Sequence, residues 1–84
     1  MPEITVYPNP ASQFQTILFE LLEESTCGVQ LINMQGQIVN EISPARLRSG
    51  EQKLAIYTGN LKPGIYQYAI TINGRRDIKR IVIQ

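Results

Sequence analysis

The 84-residue sequence contains no histidine, no tryptophan and a single cysteine, and these shortages exclude several classes of site. Without histidine the chain can build neither a Ser-His-Asp triad nor an imidazole metal site, and it lacks the commonest general base. Cys27 alone provides no intrachain disulfide and no set of thiolate ligands. We therefore expect no catalytic residue, no metal site and no cofactor.

Long apolar runs are missing as well. No run approaches the roughly 20 residues of a transmembrane helix, and the N-terminus has no basic region followed by an apolar stretch. The sequence thus predicts neither a transmembrane segment nor a signal peptide. If the protein is exported, we expect residues 1–84 to be one domain from a longer precursor.

The net charge of +1 gives no bulk attraction for nucleic acid or an anionic membrane, but the charges are unevenly distributed. Every lysine and arginine follows residue 45, and most acidic residues precede it. Such asymmetry is found in docking faces, although interleaved strands from both halves would mix the signs on one surface. Four basic residues beside Tyr66 and Tyr68 also resemble a single-strand nucleic-acid binder, namely Arg75, Arg76, Lys79 and Arg80. Tyrosines that alternate with isoleucines are more typical of a core, so no nucleic-acid partner is expected.

What the sequence does contain is short alternating apolar segments separated by turn residues, which is the pattern of an all-β domain. Strands are predicted at 3–7, 14–22, 27–33, 37–42, 51–57 and 65–72, with a last strand after Gly74. Residues 43–50 are the longest segment predicted to be irregular, with room for one helical turn. About seven short strands with several hairpins predict an immunoglobulin-like antiparallel β-sandwich.

Three turns have specific residue signatures. They are a type I turn from Asn33 to Gly36, a type II turn at 62–65 around Pro63 and Gly64, and a two-residue type I′ turn at Asn73 and Gly74. Pro8 and Pro10 remove two backbone donors, so they are expected to end the first strand.

The last strand is unusual because the first residue named on each of its two faces is charged. One face carries Arg76, Ile78, Arg80 and Val82, and the other carries Asp77, Lys79, Ile81 and Ile83. We expect the start of this strand to be exposed near a sheet edge and residues 81–83 to return to the core.

Four segments in order and spacing resemble one known family over essentially the whole chain. They are VYPNPAS (6–12), VQLINMQGQIV (29–39), LKPGIYQYAI (61–70) and DIKRIVIQ (77–84). The family is the type A C-terminal sorting domain of the type IX (Por) secretion system. Three departures are present: the family commonly has aspartate where Asn33 stands, often has an apolar or aromatic residue at the position of Gln67, and in many members is shorter than this chain over residues 43–57.

The resemblance implies a function as well as a fold. Such domains are seven-stranded immunoglobulin-like sandwiches at the end of larger secreted proteins of Gram-negative bacteria. The implied partners are an N-terminal cargo domain in the precursor, the outer-membrane type IX translocon and a sortase-like protease that removes the domain. The implied route passes through the periplasm to secretion or the cell surface, and the domain itself is not an enzyme.

The resemblance also assigns site residues. We expect translocon recognition to involve Lys79, Arg80, Ile81, Val82 and Ile83. A second set matches family motifs and is expected to be structural: Pro8, Asn9, Pro10, Asn33, Gly36, Pro63, Gly64 and Tyr66.

Other interpretations remain open at this point. Lys79 and Arg80 could act only as gatekeepers that keep the adjacent IVI segment from aggregating. The domain could be an extracellular adhesion or carbohydrate-binding module, although its tyrosines lie within strand patterns, or a structural spacer. An exposed last strand also leaves a homodimer through an edge strand open.

Overall fold

The computed structural model describes residues 2–11 and 13–84. Met1 and Ser12, which ends the VYPNPAS segment, lie outside this description. The described residues form strands and loops without a helix. The strands are β1 (Thr5–Tyr7), β2 (Phe14–Leu21), β3 (Ser25–Ile32), β4 (Ile38–Leu47), β5 (Gly50–Tyr57), β6 (Gly64–Ile72) and β7 (Arg75–Ile83).

The strands form two antiparallel sheets that pack face to face. One sheet has the order β1-β2-β5 and the other β4-β3-β6-β7. Alternate side chains of each strand point into the space between the sheets, where the core includes Ile17 and Phe19 of β2 and Ile70 and Ile72 of β6. This arrangement confirms the predicted immunoglobulin-like β-sandwich.

Two of the predicted turns are confirmed by their backbone geometry. The amide of Gly36 donates to the carbonyl of Asn33 at 3.0 Å. The side-chain oxygen of Asn33 also accepts from the amides of Gln35 and Gln37. Asn73 and Gly74 have φ angles of 49° and 83°, as a type I′ turn requires. The turn residues therefore fix the β3–β4 and β6–β7 hairpins.

The prediction that residues 43–50 form an irregular segment is wrong. β4 runs on to Leu47, and β5 begins at Gly50, so only residues 48 and 49 connect the two strands. Pro44 is accepted within β4 because β4 lies at the edge of its sheet. The β3–β4 register shifts between Cys27 and Val29. The intervening Gly28 lies close to Pro44, whose Cγ would be 3.1 Å from a Cβ at this glycine.

The predicted type II turn at 62–65 is also wrong in its geometry. Gly64 has a positive φ as expected, but its value of 156° is far from the +80° or so of a type II turn. The backbone-bonded turn lies just before it, where the amide of Leu61 donates to the carbonyl of Thr58 at 3.2 Å. The chain then passes through Pro63 directly into β6.

Candidate recognition end of the sandwich

The four family-like segments, far apart in sequence, meet at one end of the sandwich. β3 ends at Ile32 and β6 begins at Gly64, which pairs with Ile83 at the end of β7. Because neighbouring strands are antiparallel, these termini and the Asn33 turn lie at the same end of the four-stranded sheet. Residues 8–11 reach this end through a bridge between Ala11 and Ile83. We call it the motif end.

Residues 8–10 cross from one sheet to the other at the motif end. Tyr7 still pairs with Thr16 in the three-stranded sheet, whereas the amide of Ala11 donates to the carbonyl of Val82 at 3.0 Å. The side-chain oxygen of Asn9 accepts from the amide of Val82 at 3.3 Å. The prolines thus end β1 as predicted, and the segment also covers the free edge of β7 at Val82.

A buried polar chain holds this crossover in place. The Tyr68 hydroxyl donates to Gln15 Oε1 at 2.7 Å, and Gln15 Nε2 donates to the carbonyl of Pro8 at 2.7 Å. Both side chains have no solvent exposure. Burial raises the pKa of Tyr68, which keeps its hydroxyl protonated and donating.

Sequence reasoning missed this chain, although a signal for it exists. Gln15 lies two residues before Ile17, so in a strand its side chain points to the same face as the core residues of β2. A polar side chain on a buried face needs hydrogen-bond partners. The alternation therefore marks Gln15 as a buried polar residue, but it does not identify Tyr68 and Pro8 as the partners.

Tyr66 forms the corner at the start of β6. Its side chain is buried, and its hydroxyl donates to the carbonyl of Lys62 at 2.7 Å. A tyrosine near the start of this strand that bonds back a few residues upstream is a feature of immunoglobulin-like sandwiches. Between this corner and the Asn33 turn lies an open groove of about 560 Å³. The predicted motif residues Asn33, Pro63, Gly64 and Tyr66 all line it.

β7 is an edge strand of the four-stranded sheet, as its charge pattern predicts. Ile81 and Ile83 are buried in the core, whereas the side chains of Arg80 and Val82 are exposed. Lys79 Nζ lies 3.9 Å from Asp77 Oδ2, and both side chains are partly exposed. In the folded domain, Ile81 and Ile83 therefore anchor β7, whereas Arg80 and Val82 are exposed and Lys79 is half-buried.

The chain enters the sandwich at the end opposite the motif end. Pro2 lines a cavity together with Leu22, Glu23 and Asn73. These last three belong to the β2–β3 loop and the β6–β7 turn. A domain attached before residue 2 would be joined at this far end, which leaves the motif end free for a partner.

Some aromatic side chains are exposed, in contrast to the buried side chains of Tyr66 and Tyr68. Tyr7, Phe14 and Tyr57 are 41%, 55% and 44% exposed. Tyr7 and Phe14 flank Thr16 on the outer face of the three-stranded sheet. The rings of Phe14 and Tyr57 meet edge to face, with centroids 5.2 Å apart and planes at 63°. The Phe14 and Tyr57 rings are therefore not coplanar.

Two features of the described residues concern metal binding and the reactivity of the cysteine. Residues 2–11 and 13–84 contain no cluster of three or more histidine, cysteine, aspartate or glutamate side chains suited to a metal ion. Cys27 is buried, and burial raises the pKa of its thiol, so the reactive thiolate is disfavoured. Within the same residues, no helix has the length and apolarity needed to cross a membrane.

Comparison with known proteins agrees with the convergence of the motifs. The family model described as the secretion system C-terminal sorting domain matches residues 5–84. A search of curated proteins finds no match. Because the family match covers nearly the whole described chain, including all four segments at the motif end, the chain belongs to the family of type IX secretion C-terminal sorting domains.

Proposed function

We propose that residues 1–84 are a single C-terminal secretion signal that directs a larger precursor through the outer-membrane type IX translocon. The precursor carries its cargo N-terminal to this domain and passes through the periplasm. A sortase-like protease then removes the domain, and the cargo is released or kept at the cell surface. The observation that supports this proposal best is the meeting of four distant motif segments at the end opposite the chain entry.

Family membership by itself supports the general part of this proposal, namely that the domain is a sorting signal. Sorting domains of type IX secretion mark proteins for the cell surface or the extracellular space, and the family is not an enzyme family. The domain is accordingly a ligand for the secretion machinery. Its partners are proteins, namely translocon components and the protease.

Recognition is expected to use the exposed side of β7. Arg80 and Val82 present charge and apolar surface there, and Lys79 lies half-buried beside Asp77 on the opposite face, where Ile81 and Ile83 fix the strand in the core. A basic surface on a fixed strand suits charge pairing with an acidic partner. The unpaired edge of the same strand suits strand addition.

The test replaces the two basic side chains and measures export. In a precursor with a fluorescent cargo, Lys79→Ala with Arg80→Ala is expected to reduce the secreted fraction at least severalfold. Arg48→Ala with Lys53→Ala removes the same charge away from β7 and is expected to leave secretion unchanged. Thermal unfolding of both purified domains checks that each one folds. Normal secretion of a folded Lys79/Arg80 variant would contradict the proposed recognition.

The gatekeeper interpretation of the same residues predicts a different result. If Lys79 and Arg80 serve only to prevent aggregation, the double variant stays exported as long as it is soluble, and its solubility falls at high concentration. Light scattering on the purified domain measures that solubility. Aggregation without a loss of recognition would favour the gatekeeper role.

A further inference from the structure

The open part of the β7 edge begins upstream of the terminal residues that the family resemblance singles out, and it overlaps them at Lys79 and Arg80. Val82 directs its amide and carbonyl away from β6, toward Asn9 and Ala11. In an antiparallel pair the outward-facing residues alternate, so Arg80, Ile78 and Arg76 direct their backbone groups outward as well. The crossover covers the edge at Val82, and within residues 2–11 and 13–84 no other strand pairs with the edge from 76 to 80. We call this stretch the β7 window.

The β7 window is partly occupied by the chain itself. Asp77 Oδ1 accepts from the amide of Ile78 at 2.9 Å, and its other oxygen faces Lys79. This carboxylate fills one of the outward donor positions with a local group. A pairing strand would replace it with a backbone carbonyl. Asp77 therefore competes with strand addition at the centre of the window.

The side chains beside the window set the chemistry of a partner. Arg76 and Arg80 are exposed and, within the described chain, make no ion pair. They lie about 13 Å apart along the strand at the usual rise per residue. Ile78 lies between them on the same face and is 43% exposed. The exposed face of the window therefore presents a row of three side chains: a basic one, an apolar one and a second basic one.

Pairing with a second copy fits this row poorly. An antiparallel β7–β7 pair centred on Ile78 would place Arg76 opposite Arg80 of the second copy twice on the exposed face. On the other face it would place Asp77 opposite Lys79, but these two residues already approach each other within one chain at 3.9 Å. Like charges directly opposite each other in a sheet are destabilising, whereas opposite charges are favourable. A segment that carries acidic, apolar and acidic residues at alternate positions satisfies all three side chains.

We propose that the β7 window receives, by strand addition, an extended segment of a translocon component in which two acidic side chains flank an apolar one. This inference rests on the proposed sorting function and assigns its contact to residues 76–80. Arg76 and Ile78 join Arg80 as contact residues, and Asp77 restrains binding until the partner displaces it.

The test uses two synthetic probe peptides and the folded domain. The acidic probe is Thr-Thr-Glu-Thr-Val-Thr-Glu-Thr-Thr, and the control probe has lysine in place of both glutamates. We expect the acidic peptide to bind at low salt about fivefold tighter or more, as two cross-strand charge pairs imply. Amide hydrogen exchange should slow at Arg76, Ile78 and Arg80, whereas Val82 should not change.

Variants make the result specific to the window. Arg76→Glu with Arg80→Glu is expected to reverse the preference, so that the lysine peptide binds tighter, while Arg48→Glu with Lys53→Glu changes nothing. Asp77→Ala is expected to strengthen binding of the acidic peptide. Absence of binding, equal binding of the two peptides, or protection outside the window would overturn the proposal. So would protection that grows with protein concentration alone, because that result indicates pairing with a second copy.

Export separates a failure of this inference from a failure of the sorting function. If the wild-type domain exports a cargo and the folded Arg76→Glu/Arg80→Glu variant does so equally well, the window is wrong and the sorting function stands. If the wild-type domain exports nothing in a competent strain, the sorting function fails whatever the peptides bind. Loss of export in this variant with normal export of the Arg48→Glu/Lys53→Glu control supports both.

Discussion

At the scale of single residues, the motif end depends on a hydrogen-bond chain that the surface does not reveal. Tyr68 and Gln15 are fully buried, and together they connect the core of β6 to the carbonyl of Pro8. Removal of either side chain leaves the other one buried without that hydrogen-bond partner. The position of the crossover is therefore sensitive to residues far from the exposed motifs.

We predict that Tyr68→Phe lowers the free energy of unfolding by about 1–3 kcal/mol, because the buried oxygen of Gln15 loses its donor. Tyr66→Phe is the matched control, since it removes one hydroxyl whose acceptor, the carbonyl of Lys62, is only partly buried. We expect Tyr66→Phe to lower the free energy of unfolding by less, about 0.5–1.5 kcal/mol. Urea unfolding measures both, and an equal or larger loss for Tyr66→Phe would contradict the account.

At the scale of elements, the sequence predicts most strands but not the full length of β4. The hairpins at Asn33 and Asn73 follow from local turn chemistry, and the alternation in β2, β5 and β6 follows from their buried faces. β4 is an edge strand with mostly exposed or half-exposed side chains. Its second half therefore lacks apolar alternation, and Pro44 there indicates a loop when it is considered alone. The edge position of β4 and the close approach of Gly28, which is distant in sequence, together explain how the proline fits.

That contact predicts a coupled effect at β3 and β4. Gly28→Ala places a methyl group 3.1 Å from Pro44 Cγ. We expect the resulting strain to lower the free energy of unfolding by about 1–3 kcal/mol. In Gly28→Ala with Pro44→Ala the ring is absent, so most of this loss is expected to be recovered. A double-mutant cycle from urea unfolding measures the coupling. Additive costs would show that the two residues do not press on each other.

At the scale of the whole molecule, the fold converts four separated segments into one surface. The order and spacing of the segments are sufficient to predict the family and the sandwich from sequence. Their meeting point depends on strand pairing and on the bridge from Ala11 to Ile83, which no local pattern contains. Sequence also does not reveal that the crossover covers Val82, so the difference between the closed and open parts of the β7 edge requires the structure.

The arrangement of the two ends explains how one small domain can serve as a signal for a large cargo. The chain enters beside the β6–β7 turn, and the motif segments lie at the other end. A cargo joined before residue 2 would thus lie away from the Asn33 turn and the end of β7, which we propose as part of the contact surface. The domain should therefore work on an unrelated cargo.

The most direct test of the sorting function is a transplant of this domain to such a cargo. Residues 3–84 are fused behind a signal peptide and a fluorescent protein, and the fusion is expressed in a bacterium with an active type IX system and in a translocon-deficient mutant. The account predicts fluorescence outside the first strain and periplasmic retention in the second. Retention of a folded fusion in the periplasm of both strains would contradict it.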